Sequence, residues 1–183
     1  DATARMGRLP EAHEHMRRSL EVIQGRNSTM TESVAWNHYG FVHLQSSDYA
    51  KAYEVLEKSK KIFERGFCYV EYVARTYTWQ MESLIGPEWT EPRRDGNIRR
   101  AKRLSVKARF FAWRFPNVRP HTLRVQGRLL CVSGRPGKAL RYFQKAVESA
   151  RRLGLEYDLA RSLLDLASVT DERGDALDPA ALV

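Results

Sequence analysis

Cysteine is nearly absent. Cys68 and Cys131 stand 63 residues apart, in no metal-ligand spacing. Two isolated thiols exclude a disulfide framework and a zinc ribbon, and they fit a reducing, cytoplasmic setting. Long apolar runs are also missing: no window approaches the ~18 apolar residues that span a bilayer, so no membrane insertion is expected. Alternating apolar and polar stretches are scarce, which removes most support for strands. Catalytic signatures are missing as well, with no H-E-x-x-H, no Cys-x2-Cys and no Gly-rich phosphate loop. "SGRPG" (133–137) lacks the Lys-Ser/Thr ending and follows no strand, so it reads as a turn. The histidines do not cluster along the chain. His13 and His15 diverge by about 200° on a helix, and His38 and His43 also diverge. Neither cysteine has a His and acid partner suggested by its position. No catalytic residue, metal or cofactor is expected.

Acidic residues are missing from one long stretch. Between Arg93 and Arg152 there are 18 Lys and Arg against only Asp95 and Glu148, a balance of +16. The remainder carries 13 basic and 20 acidic residues, a balance of −7. Such asymmetry fits a solvated basic face, an acidic partner or neighbouring domain, or nucleic acid.

What is present is helical periodicity. Apolar residues recur at three- and four-residue steps: Leu9, Ala12, Met16, Leu20 and Ile23, then Tyr49, Ala52, Tyr53, Leu56, Ile62 and Phe63. That is the period of amphipathic helices packed on one another. Breaks fall at "GRNSTMTES" (25–33), which offers Ser28, Thr29, Thr31 and Ser33 as N-caps, at "SSD" (46–48), at 133–137 and at Gly154. The pattern predicts helices over 8–24, 31–46, 49–65, 68–84, 97–115, 119–133, 136–153 and 157–172. "IGPEWTEPRRDGN" (85–97), with two Pro and two Gly, reads as a loop. Short connections predict antiparallel neighbours and an all-α chain. The chain opens on Asp1 and is already helical in pattern by residue 8, so an excerpt of a longer protein is expected. One domain over 1–175 is expected, with 176–183 a tail or a truncated next helix.

The helices repeat. Ala12, Ala52, Ala101 and Ala139 each follow a turn, and seven residues beyond lie Ser19, Ser59, Ala108 and Ala146. Bulky residues stand between them at Met16, Leu56 and Phe143, with Ser105 the poor match. Ala12 to Ala52 and Gly127 to Ala167 are each 40 residues, while Ala52 to Ala101 is 49. The nine extra residues fit an insertion at 85–97. Small residues suit the crossing point of a hairpin, and bulky ones suit the space between units. Trp36, Tyr39, Gly40, His43, Ala52, Leu56 and Ser59 resemble the tetratricopeptide repeat, W-x2-L-G-x2-Y followed by A-x3-F-x2-A. Leu123, Gly127, Leu130, Ala139, Phe143 and Ala146 do so again, as do Leu163, Leu166 and Ala167. His43 replaces the Tyr, the third unit lacks the Gly, and the period exceeds 34. Lengthened repeats of this kind resemble those attached to regulatory ATPases, nucleotidyl cyclases and kinases. The resemblance implies a right-handed α-solenoid; the alternative is a four-helix bundle or an irregular all-helical fold.

The resemblance also implies a concave groove lined by the first helix of each pair. Its positions here are Asn37 and Phe41, Tyr77 and Met81, Arg124 and Arg128, Leu164 and Ser168, with His121 and Arg161 one turn earlier. His121, Arg124 and Arg128 share a helix face, and paired guanidiniums grip a carboxylate or phosphate. Pairing with an acid of the next unit, such as Asp165, is the internal alternative. The helix over 97–115 carries Arg99, Arg100, Arg103 and Lys107 as a basic surface. Phe110, Phe111, Trp113 and Phe115 are too dense there for a single buried stripe. A non-catalytic module binding an acidic peptide or domain segment is expected, from a partner or from its own parent chain. The alternatives are a sensor of an anionic or sugar effector controlling an attached NTPase or cyclase and, less favoured, a nucleic-acid scaffold. Exposed apolar end faces leave oligomerisation open.

Overall fold

The computed structural model describes residues 2–23, 28–66, 71–87 and 93–170, and every regular element in them is helical. In chain order these are α1 (Ala2–Arg5), α2 (Leu9–Ile23), α3 (Thr29–Gln45), α4 (Tyr49–Arg65) and α5 (Thr76–Leu84). They continue with α6 (Arg93–Arg114), α7 (Arg119–Val132), α8 (Pro136–Leu153) and α9 (Glu156–Ala167). Short 3-10 turns stand at Glu71–Val73 and Pro116–Val118. Among the described residues no helix is long and apolar enough to cross a membrane.

Local chemistry sets the boundaries. Ser28 caps α3 by accepting from the Thr31 backbone N–H, and Asp48 caps α4 by accepting from that of Lys51. Gly154 ends α8 with φ 64°, a left-handed turn that favours glycine. Two spans differ from the sequence pattern. The helix expected over 68–84 is divided: Thr76 Oγ1 lies 2.7 Å from the Val73 carbonyl oxygen, a local bond that competes with a continuous helix. The loop expected over 85–97 is shorter, because α6 begins at Arg93 with Asp95 favourably placed in its first turn. Residues 88–92, and the tail expected at 176–183, lie outside the described residues.

Sequential helices pack as antiparallel pairs. In α3 and α4, Ser59 Oγ donates to the Ser33 carbonyl at 2.7 Å, while Gly40 approaches Ala52 and Leu56 at the other end. A Cβ at Gly40 would fall 2.5 Å from Leu56 Cγ, and one at Gly127 the same distance from Phe143 Cε1. The small residues let the helices of each pair close, and Leu56 and Phe143 fill the gap. Burying a side chain of that size stabilises by about 1.5–3 kcal/mol.

Pairs stack with a repeating offset. Asn37 meets Thr76, Phe41 meets Trp79, Thr78 meets Thr122, and Arg124 meets Asp165, so α3, α5, α7 and α9 form one parallel row. Tyr53 meets Arg100 and Glu64 meets Lys107, joining α4 to α6 in a second row. The central core lies between the rows, where the Phe63, Tyr77 and Phe111 rings meet in sequence at centroid distances of 5.9 and 5.3 Å. All nine residues of α5 are buried.

The first row also folds back on itself. Tyr157 at the start of α9 donates to Gln45 of α3 at 3.0 Å. The Arg5 guanidinium lies 4.5 Å from the Tyr157 ring centroid and 5.6 Å from that of Phe41. Arg75 pairs with Asp158 at 3.3 Å, a contact that skips a whole unit.

Candidate functional site

The inner row converges on Glu82. In α5, "TYTWQMESL", it is the only charged residue, and it is 6% exposed. Arg124 Nη2 donates to its Oε1 at 2.7 Å, and Arg128 Nη1 donates to the same oxygen at 2.9 Å. His121 Nε2 lies 2.9 Å from Oε2, and Arg161 Nη2 stands 3.8 Å from Oε1. Arg124 extends the network to Asp165 at 3.0 Å. Three guanidiniums therefore meet two carboxylates.

The environment sets the protonation states. Burial alone would raise the Glu82 carboxyl, but Arg124, His121 and Arg128 reverse this and hold it well below the usual carboxylate range. Burial lowers His121, and the offsetting pull of Glu82 is the smaller effect, so the ring stays neutral at pH 7. It serves Glu82 as a neutral hydrogen-bond donor. Burial also opposes the charge on Arg124, but Glu82 and Asp165 outweigh it and hold the guanidinium charged.

These contacts account for the inward positions that the sequence singled out. Asn37, Phe41, Tyr77, His121 and Arg124 are buried. Asn37 faces Thr76, Phe41 packs on Trp79, and Tyr77 donates to Glu64 at 2.6 Å. Only Arg128 and Arg161 keep substantial solvent contact, the latter with 37% of its side chain exposed. The expected open groove is corrected at Asn37, Phe41, His121 and Arg124, which contacts between successive helices of the inner row leave as internal packing, and at Tyr77, which lies in the central core between the rows. Met81 is buried too, while Leu164 on α9 and Ser168 just after it remain exposed at the last described helix.

Glu82 itself escaped the sequence reading, as did the meeting of His13 and His43 across α2 and α3, with ring centroids 4.8 Å apart. A lone acid in an otherwise uncharged helix was the available signal for Glu82. Among the described residues no group of three His, Cys, Asp or Glu is placed to hold a metal ion. Burial pushes the Cys131 thiol up, which makes it a poor nucleophile at neutral pH. Cys68 lies outside the described residues.

The outer row is different. Helix α6 presents three largely basic stripes, two of them carrying exposed apolar side chains, beside its buried Ala101, Ala108, Phe111 and Ala112. Toward α4, Arg100 donates to Tyr53 Oη at 2.8 Å and Lys107 to Glu64 at 3.0 Å, so these two basic residues are partly engaged. Outward lie Arg99, Arg103, Val106 and Phe110, all exposed. Toward α8 lie Lys102, Ser105, Arg109 and Trp113, with the indole 75% exposed. Among the described residues no acid pairs with Arg99, Arg103, Lys102 or Arg109. No protein-family model, curated protein or solved structure matches the chain.

Proposed function

We propose that the chain is a non-catalytic interaction module of the tetratricopeptide type that binds an acidic segment through its outer row. The segment belongs either to another protein or to another part of the same parent chain. The small-residue crossings at Gly40 and Gly127, and the offset of about 40 residues between stacked helices, support the repeat reading. One observation carries the functional reading: the inner arginines are consumed by Glu82 and Asp165, whereas Arg99, Lys102, Arg103 and Arg109 of α6, unlike Lys107, meet no carboxylate among the described residues. Uncancelled charge of one sign on a rigid face attracts a partner of the other sign and speeds its capture. The internal use of Arg124 weighs against the small-anion sensor, since a ligand there would have to displace a buried carboxylate.

The direct test is fluorescence anisotropy with labelled poly-glutamate of about twelve residues, against poly-lysine of equal length, at low and high salt. Binding of poly-glutamate alone, weakened by salt, is the expected result. No binding at low salt, or equal binding of both polymers, overturns the proposal.

A further inference from the structure

A cleft opens between α6 and α8, where the outer row parts. Its floor is α7, and it comprises two adjoining lobes of about 250 and 390 Å³ that share Arg109, Gln126 and Tyr142. One wall is the Lys102, Ser105, Arg109 and Trp113 stripe of α6; the other is formed by Arg135, Tyr142 and Lys145. Arg119 stands at the end where α7 begins. Neither lobe is lined by a carboxylate. Among the described residues, Lys102, Arg109, Arg119, Arg135 and Lys145 make no ion pair. Between the cationic walls the floor is mixed: Leu123, Leu129 and Leu130, joined by Ala112 and Pro116, form its apolar part, and Thr122, Gln126 and Ser133 its polar part. From Lys102 to Trp113 the α6 wall runs roughly 16 Å, at 1.5 Å per helical residue.

We infer that this cleft between α6 and α8 is the seat of the acidic segment, and that the segment carries apolar side chains among its acids. The inference rests on the acidic-partner reading and adds its place and sequence chemistry. Two walls of opposite origin but one charge flank whatever lies along the floor, so carboxylates on both sides of a peptide are satisfied together. Arginine adds bidentate grip to that attraction. The apolar part of the floor then selects between anions. Leu or Phe side chains of a peptide bury against it, and Trp113 at the rim offers a further apolar contact. A polynucleotide would match the charge and could stack on Trp113, but it has no aliphatic groups to fill the floor. The outward pair Arg99 and Arg103 stands on a different stripe of α6 and contributes only general attraction.

The experiment uses the whole chain and three labelled probes of about twelve units: alternating Glu and Leu, Glu alone, and oligo-dT. The Glu–Leu peptide is expected to bind at least tenfold more tightly than either other probe. Exchanging Arg109→Glu with Lys145→Glu should weaken it at least tenfold, and Arg99→Glu with Arg103→Glu no more than about threefold. Ser105→Glu, which places one carboxylate in the cleft at a partly exposed position, should weaken it several-fold without altering the helical circular-dichroism signal. Tighter binding of oligo-dT, or equal binding of the two peptides, overturns the inference. So does an equal loss from the outward pair, or indifference to Ser105→Glu. If acidic probes bind through the outward pair, the cleft is wrong while the proposed function stands. If no acidic probe binds, both fall.

Discussion

Removing the charge of Glu82 should be among the most damaging polar substitutions in the chain. Its carboxylate sits between Arg124 at 2.7 Å and Arg128 at 2.9 Å, with the Arg124 side chain only 4% exposed. Glu82→Gln leaves that buried guanidinium with Asp165 alone. Breaking a buried pair by removing one partner costs about 3–5 kcal/mol. The amide oxygen of Gln still accepts one hydrogen bond, which places the cost near the lower end, roughly 3 kcal/mol. With a urea dependence of about 2 kcal/mol per molar, the unfolding midpoint should fall by about 1.5 M. Arg161→Ala is the control: a half-exposed group at 3.8 Å makes a weak pair, and its loss should cost under about 1 kcal/mol. Glu82→Leu combined with Arg124→Met removes both buried charges, and should cost clearly less than its two single exchanges summed. Equilibrium urea unfolding by circular dichroism at pH 7 measures all five variants. A midpoint shift below about 0.5 M for Glu82→Gln, or strict additivity in the double variant, would refute the reasoning.

Gly127→Ala should destabilise by about 1–3 kcal/mol, because its Cβ meets the Phe143 ring; Gly96→Ala should stabilise by roughly 0.5–1 kcal/mol, since the α6 position has nothing within 4 Å. Thermal melts should therefore move in opposite directions for the two alanines, and a matching direction would undo the packing account. Stability should also fall as pH drops below about 6.5, where an unfolded histidine takes up its proton. Burial lowers His38 to about 4, and it also lowers His43 and His121, so the folded state resists protons that the unfolded state accepts. For His38 the difference is roughly 3 kcal/mol, fully lost only below about pH 4, and His38→Leu should flatten that limb in pH-dependent urea melts. Glu82 adds a loss at lower pH, since its stabilisation is complete only above about pH 5 and disappears as pH falls through its lowered value.

The sequence by itself determined the helices and the small-residue crossings. Period and capping residues act over one turn, so α4 and α8 coincide with the spans read from the pattern, and Gly40 and Gly127 lie where the repeat places them. It also determined the charge asymmetry, which no fold can alter. The tertiary structure decided which charges are free. Arg124 and Arg128 carry the right side chains for an anion, but whether that anion is a ligand or Glu82 depends on contacts more than 40 residues apart. No local pattern encodes how far the first row curls, which brings Tyr157 to Gln45, or the packing on neighbouring helices that buries Asn37, Phe41 and Tyr77. The parting of α6 from α8 is equally non-local. It leaves Lys102, Arg109 and Trp113 facing solvent while Arg100 and Lys107, on the same helix, are held by α4.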